Sequence, residues 1–106
     1  MEIIQKLNGT TDFDPETSQR IAAVSSQLHN FFNARAYQIV STPILEHTDL
    51  FLRKSGGELA AKMYTFSDPS GRKVSLRPEF TSSVVRAYVQ GSFRGKFPLR
   101  WQYSGT

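Results

Sequence analysis

The chain of 106 residues contains no cysteine, so neither a disulfide nor a cysteine-ligated metal site can form. Long apolar runs are also missing, and none approaches the roughly 20 residues that a membrane-spanning helix needs. The first residues, Met-Glu-Ile-Ile-Gln-Lys, lack the basic and apolar regions of a signal peptide. Together these absences predict a cytoplasmic protein with no membrane partner.

The composition favours one folded domain with a slightly basic surface. Hydrophobic residues make up 39% of the chain, and eight Phe and four Tyr supply large side chains for a core. The formal net charge is +4. A basic balance favours a polyanionic partner, because neutralised phosphates release counterions, but a solvated face explains it equally well. A small basic domain that binds nucleic acid is therefore one hypothesis.

Hydrophobic periodicity predicts a long first helix. Asp14 is its expected N-cap, with Pro15 at the first helical position, and the helix is expected to run to about Ala34. One face carries apolar residues at spacings of three and four, which is ordinary core in most proteins. This stripe consists of Ile21, Val24, Leu28, Phe31 and Phe32.

The remainder of the chain reads as short strands and one further helix. The glycine pair in Ser55–Glu58 predicts a loop, and Asp68–Gly71 predicts the turn of a hairpin. The second long helix is expected to follow Thr81 and to end near Gly91. This order predicts an α+β fold with a mainly antiparallel sheet flanked by helices. The predicted strands are Tyr37–Val40, Lys62–Phe66, Lys73–Leu76 and Phe97–Gly105.

A candidate binding site lies where the strand ending at Leu76 leads into a helix. Pro78 cannot continue a strand, and Thr81 or Ser82 is expected to cap the helix. Glu79 and Thr81 place a carboxylate and a hydroxyl two residues apart, a pair suited to holding an amino group. The spacing is equally consistent with a surface ion pair between Arg77 and Glu79, with Thr81 serving only as a cap.

Several elements, in this order, resemble the histidyl-tRNA synthetase family of class II aminoacyl-tRNA synthetases. They are Gly9-Thr-Thr-Asp12, the segment Met63–Thr81 and Val85-Arg-Ala87, and the likeness extends from about Ile4 to the last residue. The resemblance implies that residues 1–106 are the N-terminal portion of a catalytic domain that contains motif 1 and stops before motif 2. The implied parent is a histidine–tRNA ligase, which activates histidine with ATP and Mg²⁺ and transfers it to tRNA(His).

The resemblance also implies a role for four residues of the site. Glu79 and Thr81 are expected to bind the α-amino group of histidine, and Arg77 and Tyr103 to shape the same pocket. No residue of the chain is expected to be catalytic or to bind a metal. Because the sequence offers no cationic clamp for a triphosphate, we expect this segment alone to hold no ATP or Mg²⁺ and to be inactive.

Motif 1 of class II synthetases lies at a dimer interface. The corresponding residues here are Phe31, Tyr37 and Pro43, so the resemblance implies a homodimer.

The same family includes an inactive paralogue, the regulatory subunit of ATP phosphoribosyltransferase in histidine biosynthesis. Bacterial synthetases of the family usually have glycine between the glutamate and the threonine, where this chain has Phe80. Bulkier residues at that position occur in the paralogue. Glu79 favours the synthetase, because the paralogue more often has aspartate there. The regulatory subunit is therefore the alternative hypothesis to the ligase.

Overall fold

The computed structural model describes the backbone of residues 1–106 and the side chains of residues 1–53, 58, 59 and 61–106. The chain divides into two compact units, Met1–Ala36 and Tyr37–Thr106. In the part of the chain described, no helix is both long enough and apolar enough to cross a membrane.

The first unit is built around helix α1, which spans Pro15–Asn33. Asp14 is its N-cap, and its carboxylate accepts a 2.8 Å hydrogen bond from the backbone N–H of Thr17. The predicted helix and its cap are therefore confirmed. None of the helix residues is buried, and the apolar stripe is about half exposed, for example 50% at Phe31. The stripe is not part of the buried core.

The second unit contains five short strands: β1 Gln38–Ile39, β2 Leu45–His47, β3 Thr65–Ser67, β4 Lys73–Leu76 and β5 Trp101–Gln102. Strands β2, β4 and β3 form an antiparallel sheet in that order, whereas β1 and β5 pair in parallel. The predicted α+β fold with a mainly antiparallel sheet is confirmed, with the β1–β5 pair as the exception.

The predicted hairpin is present, but three of the predicted strands are shorter than expected, the first being reduced from Tyr37–Val40 to Gln38–Ile39. The N–H of Lys62 donates to the carbonyl of Leu59 in a turn, so β3 begins only at Thr65. The carboxylate of Asp68 closes the hairpin turn by accepting hydrogen bonds from the backbone N–H and the Nε of Arg72. The last predicted strand is reduced to two residues, as expected when a proline without an N–H lies near its start.

Two helices complete this unit, α2 over Thr48–Ala60 and α3 over Thr81–Val89. The loop expected at Ser55–Glu58 falls within the range of α2, and three of its four residues lie outside those whose side chains are described. Strand β2, directly before α2, was not predicted, because three residues are too few to show an alternating pattern.

The buried core of the second unit is small. Phe51 of α2 is the largest fully buried side chain, and Val74 of β4 and Val84 and Ala87 of α3 are also buried. The third buried residue of α3 is Ser83. The larger residues Val85, Tyr88 and Val89 are exposed.

A chain of three hydroxyls joins the central strand to its neighbours. The Oγ of Ser75 in β4 lies 2.8 Å from the Oγ1 of Thr48 and 2.8 Å from the Oγ1 of Thr65. Ser75 is completely buried and Thr48 is 2% exposed. Because buried hydroxyls are costly without partners, this chain fixes β4 against β3 and the start of α2.

We expect Ser75→Ala to lower the free energy of unfolding by about 1–3 kcal/mol, because the buried hydroxyl of Thr48 loses its partner. Ser83→Ala is the matched control. The Oγ of Ser83 is also fully buried but has no hydrogen-bond partner among the described residues. Its removal should leave the free energy of unfolding unchanged or raise it. Urea unfolding followed by circular dichroism measures both, and equal losses would contradict the assignment.

The cap of α1 should depend on pH. The hydrogen bond from the backbone N–H of Thr17 lowers the pKa of Asp14 below its ordinary value of 3.8. Because the pKa is lower in the folded state, the ionised carboxylate stabilises the helix fully at pH values above the ordinary pKa. This stabilisation is lost as the pH falls through the lowered pKa of the folded state. The protection factor of the Thr17 amide, which is the ratio of its exchange rate in the unfolded chain to its observed rate at the same pH, should therefore fall in acid. Asp14→Asn keeps an acceptor at the cap and should remove this pH dependence.

Candidate functional site

The turn between β4 and α3 is organised by the guanidinium of Arg77. Its Nε donates to the carbonyl of Thr106 at 2.7 Å, and its Nη1 donates to the carbonyl of Thr42 at 3.1 Å. The guanidinium also lies over the ring of Phe80, 4.1 Å from its centroid. Arg77 therefore ties the turn to two segments that are distant in sequence.

Glu79 replaces the predicted cap of α3. The N-cap position is occupied by Phe80, which has no side-chain acceptor, so neither Thr81 nor Ser82 caps the helix. Both carboxylate oxygens of Glu79 instead lie 3.2 Å from the backbone N–H of Ser82 and accept its hydrogen bond. A carboxylate here also interacts favourably with the positive end of the helix dipole. Each of its oxygens retains a lone pair for a further donor.

Thr81 and Tyr103 meet at the same turn. The Oγ1 of Thr81 and the phenolic oxygen of Tyr103 are 3.1 Å apart and share a hydrogen bond. The ring of Tyr103 lies beside that of Phe80, with centroids 6.2 Å apart. Phe80, the residue between Glu79 and Thr81, therefore contacts Tyr103 and belongs to the same site.

The structure excludes the interpretation of this turn as a simple ion pair and cap. Among the described residues Arg77 forms no ion pair with Glu79, and Thr81 bonds to a tyrosine rather than to the helix N-terminus. The four predicted histidine-binding residues lie at or against one turn. Their role in binding remains a prediction.

The predicted interface residues lie in both units. In the first, the ring of Phe31 is covered on one face by the guanidinium of Arg35, 3.5 Å from the centroid. In the second, the carbonyl of Tyr37 accepts a 3.0 Å hydrogen bond from Gln102, and Pro43 is exposed. Their role in pairing two copies also remains a prediction.

An ion pair beside the turn was missed at the sequence level. The Nε of Arg86 in α3 lies 2.6 Å from a carboxylate oxygen of Glu46 in β2, whose side chain is only 9% exposed. The Nη1 of the same arginine donates to Gln90 at 2.7 Å. Forty residues separate Arg86 from Glu46, so no local pattern links them. An open groove of about 610 Å³ runs along this side of α3, lined by Leu50, Thr81, Ser82, Val85, Arg86, Val89 and Gln90.

The cations around the turn are bonded to protein groups. Arg77 is bonded to two carbonyls, Arg86 to Glu46, and Arg72 to Asp68 at 2.7 Å. Among the residues described, no group of three or more histidine, aspartate or glutamate side chains is placed to hold a metal ion. The arrangement suits recognition of an ammonium group better than recognition of phosphate.

Known proteins share both the sequence and the fold of this chain. A family model described as histidyl-tRNA synthetase matches residues 9–106. The histidine–tRNA ligase of Pyrococcus horikoshii is 39% identical over 101 residues, which cover 95% of this chain and 23% of that protein. The structure of apo S. aureus histidyl-tRNA synthetase superposes with a TM-score of 0.79 at 35% identity, covering 95% of this chain and 24% of that one.

A third structure shows likeness of fold alone. It is described as an ATP phosphoribosyltransferase regulatory subunit/histidyl-tRNA synthetase from Bacillus halodurans C, and it superposes with a TM-score of 0.82 at 22% identity. The match covers 95% of this chain and 26% of that one.

This chain spans about a quarter of the length of the curated relatives that it matches. The family match nevertheless extends over nearly all of its residues. The chain belongs to the histidyl-tRNA synthetase family.

Proposed function

We propose that this chain is the N-terminal portion of the catalytic domain of a cytoplasmic histidine–tRNA ligase, which activates histidine with ATP and transfers it to tRNA(His). Its own contribution is one wall of the histidine pocket. The observation that carries this proposal is the turn before α3, where the carboxylate of Glu79 lies one residue from Phe80 and two from the hydroxyl pair of Thr81 and Tyr103.

The geometry of the turn supports binding of an α-amino group. The carboxylate of Glu79 is held by the N–H of Ser82, so its direction is fixed before any ligand binds. A fixed carboxylate loses little conformational freedom on binding an ammonium, and charge-assisted hydrogen bonds are the stronger kind. The hydroxyls of Thr81 and Tyr103 offer further acceptors to the same ammonium. The guanidinium of Arg77 stacks on the ring of Phe80 and holds this residue in place.

In the proposed parent enzyme, ATP and Mg²⁺ activate the carboxylate of the substrate histidine. The cations nearest the turn, Arg77 and Arg86, are bonded to protein groups. We therefore assign no step of adenylate formation to these residues. The proposed role of the residues in this turn is to bind and orient histidine.

We expect Glu79→Gln in the parent protein to raise the KM for histidine in ATP–pyrophosphate exchange on the order of 10- to 100-fold, because a charged hydrogen bond is lost. The amide oxygen of glutamine still accepts from Ser82, so folding should be preserved. Glu58→Gln on α2 is the control, since its side chain is exposed. An unchanged KM for Glu79→Gln would contradict the assignment.

The regulatory subunit of ATP phosphoribosyltransferase is the second candidate, and Phe80 is the observation that favours it. Its ring fills the space between Arg77 and Tyr103. The same exchange assay separates the two functions. Histidine-dependent exchange by the parent protein supports the ligase, whereas histidine binding without exchange supports the regulatory subunit.

We also propose that the parent protein is a homodimer with Phe31, Tyr37 and Pro43 at its interface. The exposed apolar stripe of α1 supports pairing, because a helix seldom leaves such a face in water.

We expect Phe31→Asn to shift the dimer towards monomer, because an exposed aromatic side chain of the stripe is lost. Gln27→Asn, an exposed polar residue of the same helix, should leave the equilibrium unchanged. Sedimentation velocity at several protein concentrations measures the effect. A parent protein that remains a monodisperse monomer at micromolar concentration would rule out the interface.

A further inference from the structure

The net charge of the chain is concentrated at one end. All nine acidic residues and nine of the thirteen basic residues lie in residues 1–79, so their formal charges cancel. Residues 80–106 contain no Asp or Glu and four basic residues, which account for the entire net charge of +4. One of these, Arg86, is paired with Glu46. Arg94, Lys96 and Arg100 therefore supply three of the four excess positive charges.

These three cations lie in the segment that joins α3 to β5. All three are exposed, and none forms an ion pair with a carboxylate in the part of the chain described. The Nε of Arg94 donates to the carbonyl of Gly91 at 3.0 Å, which fixes this arginine against the loop. Gly91 adopts a φ of 79°, a conformation that favours glycine.

Aromatic side chains alternate with the cations. The ring of Trp101 contacts Tyr88 and Phe93, with centroids 5.7 and 5.3 Å apart. Beside this cluster lies an open groove of about 410 Å³, and Phe97 on its edge is 78% exposed. The groove is lined by Tyr88, Val89, Gly91, Phe93, Arg94, Gly95, Phe97 and Leu99.

We propose that the segment Phe93–Arg100 is a binding surface for single-stranded RNA, with phosphates at Arg94, Lys96 and Arg100 and a base stacked on Phe97. Positive charge that tracks a backbone, combined with an exposed aromatic ring, is the combination by which proteins hold unpaired nucleotides. A carboxylate-rich protein would use the charge but would gain little from the ring. The choice of RNA over DNA rests on the proposed function, whereas the charge and the groove do not.

The salt dependence of binding tests the phosphate contacts. Fluorescence anisotropy of a labelled oligouridylate, measured without histidine or ATP, gives the affinity of the 106-residue chain across a range of salt concentrations. Lys96→Ala/Arg100→Ala should reduce the slope of log K against log salt by about 1.4, since each contact to a single strand contributes about 0.7. Lys62→Ala/Lys73→Ala removes the same charge from exposed positions elsewhere and should leave the slope unchanged.

Phe97→Ala tests the stacked base separately. Loss of stacking should weaken binding roughly tenfold or more while leaving the salt slope unchanged. Phe13→Ala removes a phenylalanine that is 57% exposed in the first unit and should have no effect. Because Phe97 is itself exposed, its replacement should not disturb folding, which circular dichroism checks.

Three outcomes would overturn the proposal. An equal reduction of the salt slope in the two double variants would show that binding depends on overall charge. An unchanged affinity for Phe97→Ala would exclude stacking. Tighter binding of polyglutamate or oligothymidylate than of oligouridylate would assign the surface to an acidic protein or to DNA. Each outcome is independent of histidine-dependent exchange, which contains no RNA, so this proposal and the ligase assignment can fail separately.

Discussion

One cation, the guanidinium of Arg77, holds the candidate site together. It bonds to a carbonyl 35 residues before it and to another 29 residues after it, and it stacks on the ring of Phe80. A planar group with five donors in a fixed fork is suited to satisfying separated acceptors, whereas the single ammonium of lysine is not. The turn that presents Glu79 and Thr81 is thus held from both sides by one side chain. The rigidity of this turn comes from contacts between residues that are distant in sequence.

The elements that sequence reasoning predicted well are those held by local contacts. Asp14 caps α1 through a residue three positions on, and Asp68 closes its hairpin through a residue four positions on. Both patterns can be seen in a short window. Strand β2 has only three residues, and it exists because it pairs with β4, which lies almost thirty residues further along the chain. No local window contains that information.

The site was predicted in part, and for different reasons. The chemistry of Glu79 and Thr81 follows from residue type and spacing, but Tyr103 entered only through resemblance to a family. The structure brings Tyr103 against Thr81 across 22 residues. The cap was assigned to the wrong residue because N-cap preferences assume that a polar side chain occupies the N-cap, and here Phe80 does. Glu79, directly before it, supplies the acceptor instead.

Gly105 lies very close to the side chain of Arg77, although the two residues are distant in sequence. Its φ is 154°, and a Cβ built on it would lie 2.9 Å from Nη2 of Arg77. The same atom would be 3.5 Å from the ring of Phe80. A side chain at position 105 would therefore require the guanidinium of Arg77 to move. Such a movement would pull the guanidinium away from the carbonyls of Thr42 and Thr106, so a residue larger than glycine at 105 is expected to loosen the turn that presents Glu79.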